Sequence, residues 1–477
     1  MVTSDLKELY TESDALDLAE LVRTRQVTPL ELVETAIALI EELDPKLNAV
    51  VVRTFDIARQ TAQNPAPGPF AGVPFLLKNI GSMWKDAPLT NGYSFMKDFI
   101  CGYDTELSRR IQAAGFLLLG RTNTPEGGWS IGTEPKLYGP TKNPWNPSVT
   151  PGGSSGGAGA AVAARIVPLA EGSDGGGSIR VPASCNNLVG LKPSRGRITY
   201  GPQIPDFWHG SVATFGITRT VRDTAAYLDA VAGNLPGDPY VLPKPETSWL
   251  SQIAAGPGRL RIGYTLKQAW GEPFAPEVKE TLLSTLKLLE SFGHIVEEHD
   301  LGVDLRSAWH HYNVINAVEM AAEFDQLAVT IGRPVEESEV AAVNWSLLEH
   351  GRALSAIQYS TSIAAVRSAT QHIAEDLAPY DVFLTPTLTQ KPRPIGYWSM
   401  DEKDLQAYLE RWSDAGYMFA FNISGLPAMS VPVAVTPDNI PIGMQLVGRL
   451  GDETTLLRLA QQMEQELQWH KRRAPLA

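Results

Sequence analysis

Short apolar segments alternate with helical patterns along most of the chain, and this alternation restricts the fold more than any other feature of the sequence. VPFLLKNI (73–80) and FLLLGRTN (116–123) are typical of strands, whereas DTELSRRIQAAG between them has the spacing of a helix. A strand, a helix and a second strand in succession form the unit from which α/β sheets are built. The sequence therefore predicts an α/β fold.

The same alternation returns in the second half of the chain. LRIGYT (260–265) and HIVEEHD (294–300) are predicted strands, and PEVKETLLSTLKLLESFG between them is a predicted helix that ends at Gly293. Residues 301–379 have mainly helical patterns. The last part predicts three strands and then a closing helix over residues 452–467; the strands are YDVFLTPTL, PAMSVPVAV and PIGMQLVG.

Two segments bear on the domain organisation of the chain. Thr28 and Glu31 flank a proline in a capping box that opens an amphipathic helix, so the N-terminal part is predicted to be helical. Residues 237–258 are rich in proline and glycine, and by pattern alone they allow a domain boundary. At 477 residues the chain is long enough for several domains or for one large one.

Charge and apolar runs exclude some classes of partner. The formal net charge of -13 opposes binding to phosphate backbones, so we expect no nucleic-acid partner. The run AGAAVAARIVPLA is short and contains Arg165 and Pro168, so we expect no membrane span. The start MVTSDLKELY lacks the features of a secretory signal, and two cysteines fit a reducing compartment; we therefore expect a cytoplasmic protein.

Two serines flanked by glycines lie in the stretch from Thr150 to Pro182. A serine hydroxyl is a poor nucleophile at neutral pH, so it needs a base and donors that stabilise an oxyanion. Gly175, Gly176 and Gly177 directly precede Ser178, and their amides are a candidate oxyanion hole. Taken alone, an ordinary glycine-rich turn is the commoner explanation, and the endings of phosphate-binding loops are missing.

The first of the two serines also fits a different nucleophile pattern. Ser154 lies in a G-x-S-x-G sequence, which in α/β-hydrolases follows a strand and requires a histidine. The preceding NPWNPSVTP is broken by prolines and is predicted to be a loop. Among the histidines only His209 lies in a loop rich in candidate binding residues. The pattern therefore does not favour a nucleophile elbow.

Neither a metal nor an organic cofactor is expected. His294 and His299 lie five residues apart on a predicted strand, so their side chains point to opposite faces. The remaining candidate base is Lys78 at the end of an apolar strand, because a lysine in a dry site can lose its proton. Most lysines at strand ends are nevertheless solvated, so the residue alone is weak support for that role.

Three segments considered together favour a catalytic role for Lys78 and the two serines. Lys78, the run from Gly152 to Gly157, and Asp174 to Pro182 together resemble the amidase signature family of hydrolases, which use a Ser-Ser-Lys triad. The resemblance covers nearly the whole chain and is greatest to bacterial members that act on nylon oligomers. It also includes TNTPE, GPTKNPWNP, GLKPSRGR and PIGMQLVG.

The resemblance implies a role for each of these residues. Ser178 is expected to be the nucleophile, Ser154 the bridging serine that follows a cis peptide, and Lys78 the base. The backbone amides of Gly175, Gly176, Gly177 and Ser178 are expected to form the oxyanion hole. Supporting hydrogen bonds are expected from Ser155, Asp174 and Arg180, and substrate contacts from Gly128, Trp129, Trp208 and Asn316. One departure is Asn79, where family members often have aspartate after the lysine.

The same resemblance implies a fold and an activity. The expected fold is one large α/β domain over residues 1–477, with a helical segment at about 1–65 and a mixed central sheet covered by helices. The expected activity is hydrolysis of small linear or aryl amides through a serine acyl-enzyme, extending to carbamates and to nylon or polyurethane oligomers. The expected partner is a small-molecule amide bound by a monomer or homodimer.

Two other functions compete with this one. The amidase subunit of a tRNA-dependent amidotransferase has the same kind of site but works with partner subunits. A catalytically inactive binding protein is disfavoured because the lysine and both serines are present. Clustered aromatic residues favour bulky apolar or aryl amides if they line the pocket; they include Trp129, Tyr138, Trp208, Trp309, Trp345, Trp398, Trp412 and Tyr417.

Overall fold

Eleven strands form one mixed sheet in the computed structural model, which describes residues 2–477. The strands are β1 (Val50–Arg53), β2 (Pro74–Lys78), β3 (Leu117–Thr122), β4 (Leu169–Asp174), β5 (Val189–Lys192), β6 (Ala213–Thr218), β7 (Arg261–Tyr264), β8 (Ile295–Glu298), β9 (Val382–Pro386), β10 (Ala428–Val435) and β11 (Pro441–Gly448). They lie in the order β1-β3-β2-β4-β6-β5-β10-β11-β9-β7-β8.

Helices fill the connections and pack against this sheet. They are α1 (Ser4–Glu12), α2 (Ala15–Arg23), α3 (Pro29–Leu47), α4 (Phe55–Ala62), α5 (Glu106–Ala113), α6 (Gly156–Ala163), α7 (Arg180–Cys185), α8 (Val221–Val231), α9 (Trp249–Gln252), α10 (Pro276–Ser291), α11 (Leu305–Ile331), α12 (Ala342–Ala353), α13 (Ala356–Leu377), α14 (Leu405–Glu410), α15 (Met418–Ile423) and α16 (Glu453–Leu467). Within residues 2–477, no helix combines the length and the apolar character that a membrane crossing needs.

The pairing of the strands is mixed, as predicted. β2 runs parallel to β3 and β4, and β7 runs parallel to β8 and β9, whereas the other neighbouring pairs are antiparallel. The two consecutive parallel pairs, β2–β3 and β7–β8, are each joined through a helix, α5 and α10, because a parallel partner requires a crossover. The predicted fold class, a single α/β domain with a mixed sheet, is confirmed.

The proline-rich stretch at 237–258 does not divide the sheet. β7 and β8 follow this stretch, yet β7 pairs with β9, and β9 pairs with β11. β10 in turn lies between β11 and β5, a strand that precedes the stretch. The sheet is therefore continuous across the residues where the pattern allowed a boundary.

The N-terminal segment is helical with one exception. The predicted capping box is present, with the Thr28 hydroxyl accepting from the Glu31 amide and the Glu31 carboxylate accepting from the Thr28 amide. The exception is β1, which pairs antiparallel with β3 and interrupts the predicted helical segment. Met1, the first residue of that predicted segment, lies outside the described residues.

Three central strands were not predicted from the pattern. β4 (LAEGSD), β5 (VGLK) and β6 (ATFGIT) contain glycine and polar residues, so they lack both the alternation and the length of apolar strands. Nearly all of their residues are buried nevertheless. Glycine fits here because neighbouring groups come close: a Cβ at Gly190 would lie 2.6 Å from the Cβ of Ala183. Tertiary packing, rather than propensity, therefore decides these strands.

α6, a helix of small residues, packs tightly. All eight residues of α6 are buried, and a Cβ at Gly157 would overlap the backbone of Asn123 at the end of β3. Side chains larger than hydrogen would therefore push α6 away from the sheet. This close approach fixes the position of the loop that precedes the helix.

Candidate active site

The end of β2 and the end of β4 meet at one edge of the sheet. The two strands are parallel, with Leu76 opposite Ala170, so their carboxyl ends point the same way. Lys78 ends β2, and Ser173 and Asp174 end β4. This topology brings a lysine amine to the start of the glycine-rich loop that carries Ser178.

The amine of Lys78 lies in the protein interior. Its side chain is 0% exposed, and Nζ donates hydrogen bonds to Ser154 Oγ at 2.7 Å and to Ser173 Oγ at 2.9 Å. Burial lowers the pKa of Lys78 to about 7, and the negative charges of Glu171 and Asp174 oppose this effect. A substantial fraction of the amine is therefore uncharged near neutral pH.

Ser154 lies between the amine and the cavity. The peptide bond from Gly153 to Ser154 is cis, as the resemblance implied, and Ser154 is 3% exposed. No strand precedes it, because residues 144–155 form turns and extended loop before α6. Ser154 therefore does not lie on the strand-to-helix turn that a nucleophile elbow requires.

The hydroxyl of Ser178 faces the cavity and is free of hydrogen bonds to the described residues. Its side chain lines the cavity, and its Oγ makes no hydrogen bond to any other group within residues 2–477. The carbonyl of Ser178 accepts from the amide of Ser155 at 3.3 Å, which ties the two serine loops together. The hydroxyl of Ser155 contacts β4, donating to the Ser173 carbonyl at 3.4 Å. Ser155 thus acts within the scaffold and does not reach into the cavity.

In the loop from Asp174 to Ser178, most carbonyls accept a hydrogen bond and most amides donate none. The carbonyl of Asp174 accepts from Asn422 at 2.8 Å, and that of Gly175 accepts from the Tyr312 hydroxyl at 2.6 Å. The amides of Gly175, Gly176 and Ser178 donate to no group within residues 2–477. Three donors are therefore available at the cavity surface.

The amide of Gly177 is committed elsewhere. It donates to Asp174 Oδ1 at 2.8 Å, so the predicted set of four oxyanion donors is reduced to three in this geometry. Gly177 has a different requirement for glycine, because its φ is +116° and a Cβ there would lie 2.8 Å from Met418 Cγ. This residue shapes the loop that orients the other three amides.

Asp174 and Arg180 form a buried ion pair behind the loop. Both side chains are 0% exposed, and Arg180 donates to the two Asp174 oxygens at 2.8 and 2.9 Å. Burial opposes ionisation of Asp174, but the charge and hydrogen bonds of Arg180 outweigh it and hold the pKa of that carboxyl below its usual range. The same carboxylate accepts from the amides of Gly177 and Ile179.

Two further residues complete this network, and neither was predicted from the sequence. Asn422 on α15 accepts from Arg180 at 2.6 Å and donates to Asp174, and Gln445 on β11 accepts from Arg180 at 2.5 Å. Gln445 lies in PIGMQLVG, a segment of the family resemblance. A signal for Gln445 was therefore present, whereas nothing near Asn422 marked it.

A buried carboxylate lies beneath Lys78. Glu171 accepts from the backbone amide of Lys78 at 3.0 Å and from the Ser82 hydroxyl. Burial raises the pKa of Glu171 to about 7, and hydrogen bonds from Ser82 and Lys78 oppose this effect. Asn79, where the family often has aspartate, does not contact the amine; it bonds Thr90 through both side-chain atoms, at 2.8 and 3.0 Å. Asn79 thus orders the following loop.

A cavity of about 670 Å³ opens onto Ser154, Ser173 and Ser178. Much of its wall is apolar, and four of the aromatic residues singled out in the sequence line it: Trp129, Trp208, Trp309 and Trp412. The other four lie outside the lining: Tyr138, Trp345, Trp398 and Tyr417. A volume of this size can enclose a substrate much larger than a simple aliphatic amide.

Two of the predicted substrate-contacting residues form an aromatic pair over the glycine loop. The rings of Trp129 and Trp208 lie 4.6 Å apart between centroids. A Cβ at Gly175 would lie 2.7 Å from the Trp208 ring, so glycine is required for this contact. The indole of Trp208 therefore packs directly on one of the free amide residues.

The other two predicted contacts also lie in the cavity wall. Gly128 has φ +78°, and a Cβ there would lie 3.3 Å from Ser154 Oγ. Asn316 on α11 is 3% exposed, and its Oδ1 has no hydrogen-bond partner within residues 2–477. Both positions are thus close to where a substrate would be bound.

The side chains of His209 and Cys185 are not part of the cavity lining. His209 Nε2 lies 2.8 Å from the Tyr359 hydroxyl and 3.6 Å from Glu319. Cys185 is fully buried beside Gly152, and burial raises the pKa of its thiol. Within residues 2–477, no group of three or more histidine, cysteine, aspartate or glutamate side chains could hold a metal ion.

Comparison with known proteins places the chain among amide hydrolases. The model of the family described as Amidase matches residues 31–457. The 6-aminohexanoate-cyclic-dimer hydrolase of Paenarthrobacter ureafaciens is 36% identical, over 97% of this chain and 96% of its own length. A solved structure of 6-aminohexanoate cyclic dimer hydrolase has a TM-score of 0.93 at 35% identity, covering 98% of this chain and 99% of its own.

Two other solved structures bear on the choice of function. A bacterial aryl acylamidase of the amidase signature family has a TM-score of 0.87 at 28% identity, covering 98% of each chain. A solved subunit of the glutamyl-tRNA(Gln) amidotransferase from Thermotoga maritima has a lower TM-score of 0.78 at 28% identity, covering 98% of this chain and 96% of its own.

Proposed function

The chain belongs to the amidase signature family, and from this membership we propose that it hydrolyses linear and aryl amides through a serine acyl-enzyme. The observation that carries the proposal is the buried amine of Lys78, whose pKa is about 7 and which lies 2.7 Å from Ser154 Oγ. An uncharged amine in contact with a hydroxyl is a general base for that hydroxyl.

The proposed first step is a relay of protons. Lys78 keeps its donor hydrogens toward Ser173 and accepts the proton of Ser154. Ser154 in turn accepts the proton of Ser178 as Ser178 Oγ bonds to the carbonyl carbon. The relay requires the unoccupied Ser178 hydroxyl to turn toward Ser154, a side-chain rotation within one cavity.

The oxyanion is proposed to bind at the amides of Gly175, Gly176 and Ser178. In comparable sites each such donor contributes about 3 kcal/mol to the stability of the transition state. Because Asn422 and Tyr312 hold the carbonyls of the peptide groups that carry the Gly175 and Gly176 amides, these two donors are oriented before substrate binds. The carbon–nitrogen bond then breaks, the leaving amine takes the proton back from the relay, and water hydrolyses the resulting ester.

The substrate range is proposed from the cavity. Four tryptophans in the wall favour substrates with bulky apolar or aryl groups over small charged ones. The same attack works on a carbamate carbonyl, so aryl carbamates and oligomers of nylon or polyurethane belong to the range to be tested. Two of the relatives, a 6-aminohexanoate-cyclic-dimer hydrolase and an aryl acylamidase, support the amide oligomers and the aryl amides within this range.

The competing function is that of a component of a tRNA-dependent amidotransferase. The solved amidotransferase chain has a lower TM-score to this chain than the cyclic dimer hydrolase has, which favours the stand-alone hydrolase. Purification of the full chain separates the two functions. An isolated chain that hydrolyses amides supports the proposal, whereas activity only with a second subunit contradicts it.

A substrate screen with detection of the acyl-enzyme tests the proposal directly. The screen compares anilides, dipeptide amides, nylon oligomers and aryl carbamates. We expect turnover of several amides, and a mass increase on the peptide that contains Ser178 when a slowly released acyl group is used. A labelled peptide that lacks Ser178, or an absence of turnover for every amide, would overturn the assignment.

A further inference from the structure

One wall of the cavity is formed by a single face of α11. Tyr312, Asn316, Glu319 and Glu323 line the cavity and are separated by four, three and four residues, which is the spacing of one helical face. Tyr312 bonds the glycine loop at Gly175, so it marks the catalytic end of this wall. At about 1.5 Å per residue, Glu319 and Glu323 lie about 10 and 16 Å farther along the helix axis.

The charges in the cavity lining all have one sign. Among residues 2–477 the lining includes Asp206, Glu319 and Glu323 and no lysine, arginine or histidine. Lys78 lies behind Ser154 and outside the lining. A cavity with carboxylates and without cationic side chains attracts a cation and disfavours an anion.

The two glutamates on α11 differ in what they contact. Glu319 accepts from the Tyr359 hydroxyl and lies 3.6 Å from His209, so its carboxylate is held in place. Glu323 makes no hydrogen bond and no ion pair within residues 2–477, although its side chain is partly buried. A partly buried carboxylate without a partner is costly unless a ligand supplies one.

Asn316 adds a second, independent sign of a ligand. Its side chain is 3% exposed, it lines the same wall, and Oδ1 has no donor within residues 2–477. An amide oxygen and two carboxylates are all acceptors, so a group that satisfies them must carry several donor hydrogens. A primary ammonium has three donors and a positive charge.

We propose that the α11 wall formed by Asn316, Glu319 and Glu323 binds a protonated primary amine at the far end of a linear amide substrate. This inference rests on the proposed function and names the substrate class of that same site: long amides with an apolar chain and a terminal ammonium. The distance of about 10 to 16 Å equals about three to five extended peptide residues.

The pKa of Glu323 agrees with this assignment. Burial and the neighbouring charge of Glu319 raise the pKa of Glu323 to about 7 in the absence of a ligand. A bound ammonium would stabilise the charged form of the carboxylate.

Matched substrates test the inference. Two series carry a chain of about ten atoms on either the acyl or the amine side of one anilide or amide, since extended chains of that length span the distance given above. Each series has a terminal ammonium, an acetyl-capped amine and a carboxylate. In at least one series we expect kcat/KM for the ammonium to exceed that for the capped amine by about tenfold or more, with the carboxylate lowest.

Variants identify the residues responsible. Glu323→Gln and Glu319→Gln should each reduce the preference for the ammonium by about tenfold while leaving the capped amide within about twofold. Asp325→Asn is the matched control, because Asp325 is on α11 but is exposed and outside the lining. Asp325→Asn should leave kcat/KM unchanged for both the ammonium and the capped substrate.

The outcomes separate this inference from the proposed function. Turnover of the capped amide shows that the variant is folded and that the amidase function holds. Equal turnover of ammonium and capped substrates in both series, or an equal loss on both in the glutamate variants, overturns the ammonium site alone. An absence of turnover for the capped amides and for every other neutral amide overturns the proposed function.

Discussion

The amine of Lys78 lies 2.7 Å from the hydroxyl oxygen of Ser154, and both groups are buried at the carboxyl edge of two parallel strands. This contact joins residues that are 76 positions apart in the chain. It matters chemically because the burial that lowers the pKa of the amine also removes the water that would otherwise compete for its lone pair.

Replacement of Ser178 by alanine should abolish catalysis without unfolding the protein. The hydroxyl makes no hydrogen bond within residues 2–477, so its loss should change the free energy of unfolding little. We expect kcat to fall by about 10⁴-fold or more. Ser284→Ala on the exposed side of α10 is the control and should retain full activity. Residual turnover above a hundredth of the wild-type rate would contradict the nucleophile assignment.

The pH dependence of kcat/KM should follow the Lys78 amine. Only the uncharged amine accepts a proton, so activity should rise with pH through about 7 and then level off. Lys78→Met should lose several orders of magnitude in kcat/KM and should also lose this inflection. Rates for a substrate without ionisable groups, measured from pH 5 to pH 9 on the same buffer series, test this. A variant that keeps the inflection would assign it to another group.

Lys78→Met should also stabilise the folded protein at neutral pH. The folded-state pKa of Lys78 is below its unfolded value, so the unfolded state binds more protons and wild-type stability rises with pH between about 7 and about 10.5. Below that window the cost of the buried lysine is fully present. We expect Lys78→Met to raise the free energy of unfolding by about 1–3 kcal/mol at pH 7, less the lost contacts to Ser154 and Ser173. Denaturant titrations at pH 7 and pH 10 should show this gain shrinking at the higher pH.

Breaking the buried ion pair should destabilise the fold. Asp174→Asn leaves Arg180 buried without a counter-charge, and such losses cost about 3–5 kcal/mol. Asp325→Asn, which breaks the exposed pair with Arg352, should cost less than about 1 kcal/mol. The pKa of Asp174 is below its unfolded value, so its contribution is present above about pH 4 and is lost at lower pH. Equal midpoints of urea unfolding for the two variants would refute the assignment.

A side chain at position 128 should impair catalysis more than stability. Gly128→Ala forces a left-handed residue, at a cost of about 1–2 kcal/mol, and places a Cβ 3.3 Å from Ser154 Oγ. Gly258→Ala is the control, since Gly258 has φ +73° and open space around its Cβ position. Both variants should lose similar stability, but only Gly128→Ala should lose about tenfold or more in kcat. Equal activity of the two variants would remove position 128 from the site.

Loss of the indole of Trp208 should weaken binding of aryl substrates. Its ring packs at a tilt against that of Trp129 and covers Gly175, so Trp208→Ala removes part of the apolar wall. We expect KM for an aryl amide to rise by about tenfold or more, and KM for a small aliphatic amide to change less. Trp345→Ala, outside the cavity lining, serves as the comparison. A uniform fall in kcat for both substrates would instead indicate a displaced glycine loop.

The sequence predicted those helices and strands whose own residues have a helical or strand-like pattern. The strand that ends at Lys78 and the capping box at Thr28 could both be predicted from neighbouring residues. β4, β5 and β6 could not, because their glycines and polar residues become strand-forming only when the flanking strands bury them.

The residues of the candidate site likewise include some that the sequence predicted and others that only the structure revealed. The glycine-serine run and its resemblance to a family singled out Ser154, Ser178 and Lys78, while the residues alone left Lys78 an ordinary strand-end lysine. The roles of Tyr312, Asn422 and Glu171 could not be predicted from the sequence, because each acts through a contact with a distant segment. The glycine run predicts an oxyanion donor at Gly177 as at its neighbours, but in the structure the Gly177 amide donates to Asp174.

The sequence by itself determined the fold class, the family and the chemical types available at the site, because those depend on patterns within short segments. Only the tertiary structure decided which amides stay free, how dry the Lys78 amine is, and that Asn316, Glu319 and Glu323 line the same cavity as Ser178. Hydrogen-bond competition, burial and charge are properties of groups close in space, and the chain brings those groups together only when the sheet has formed.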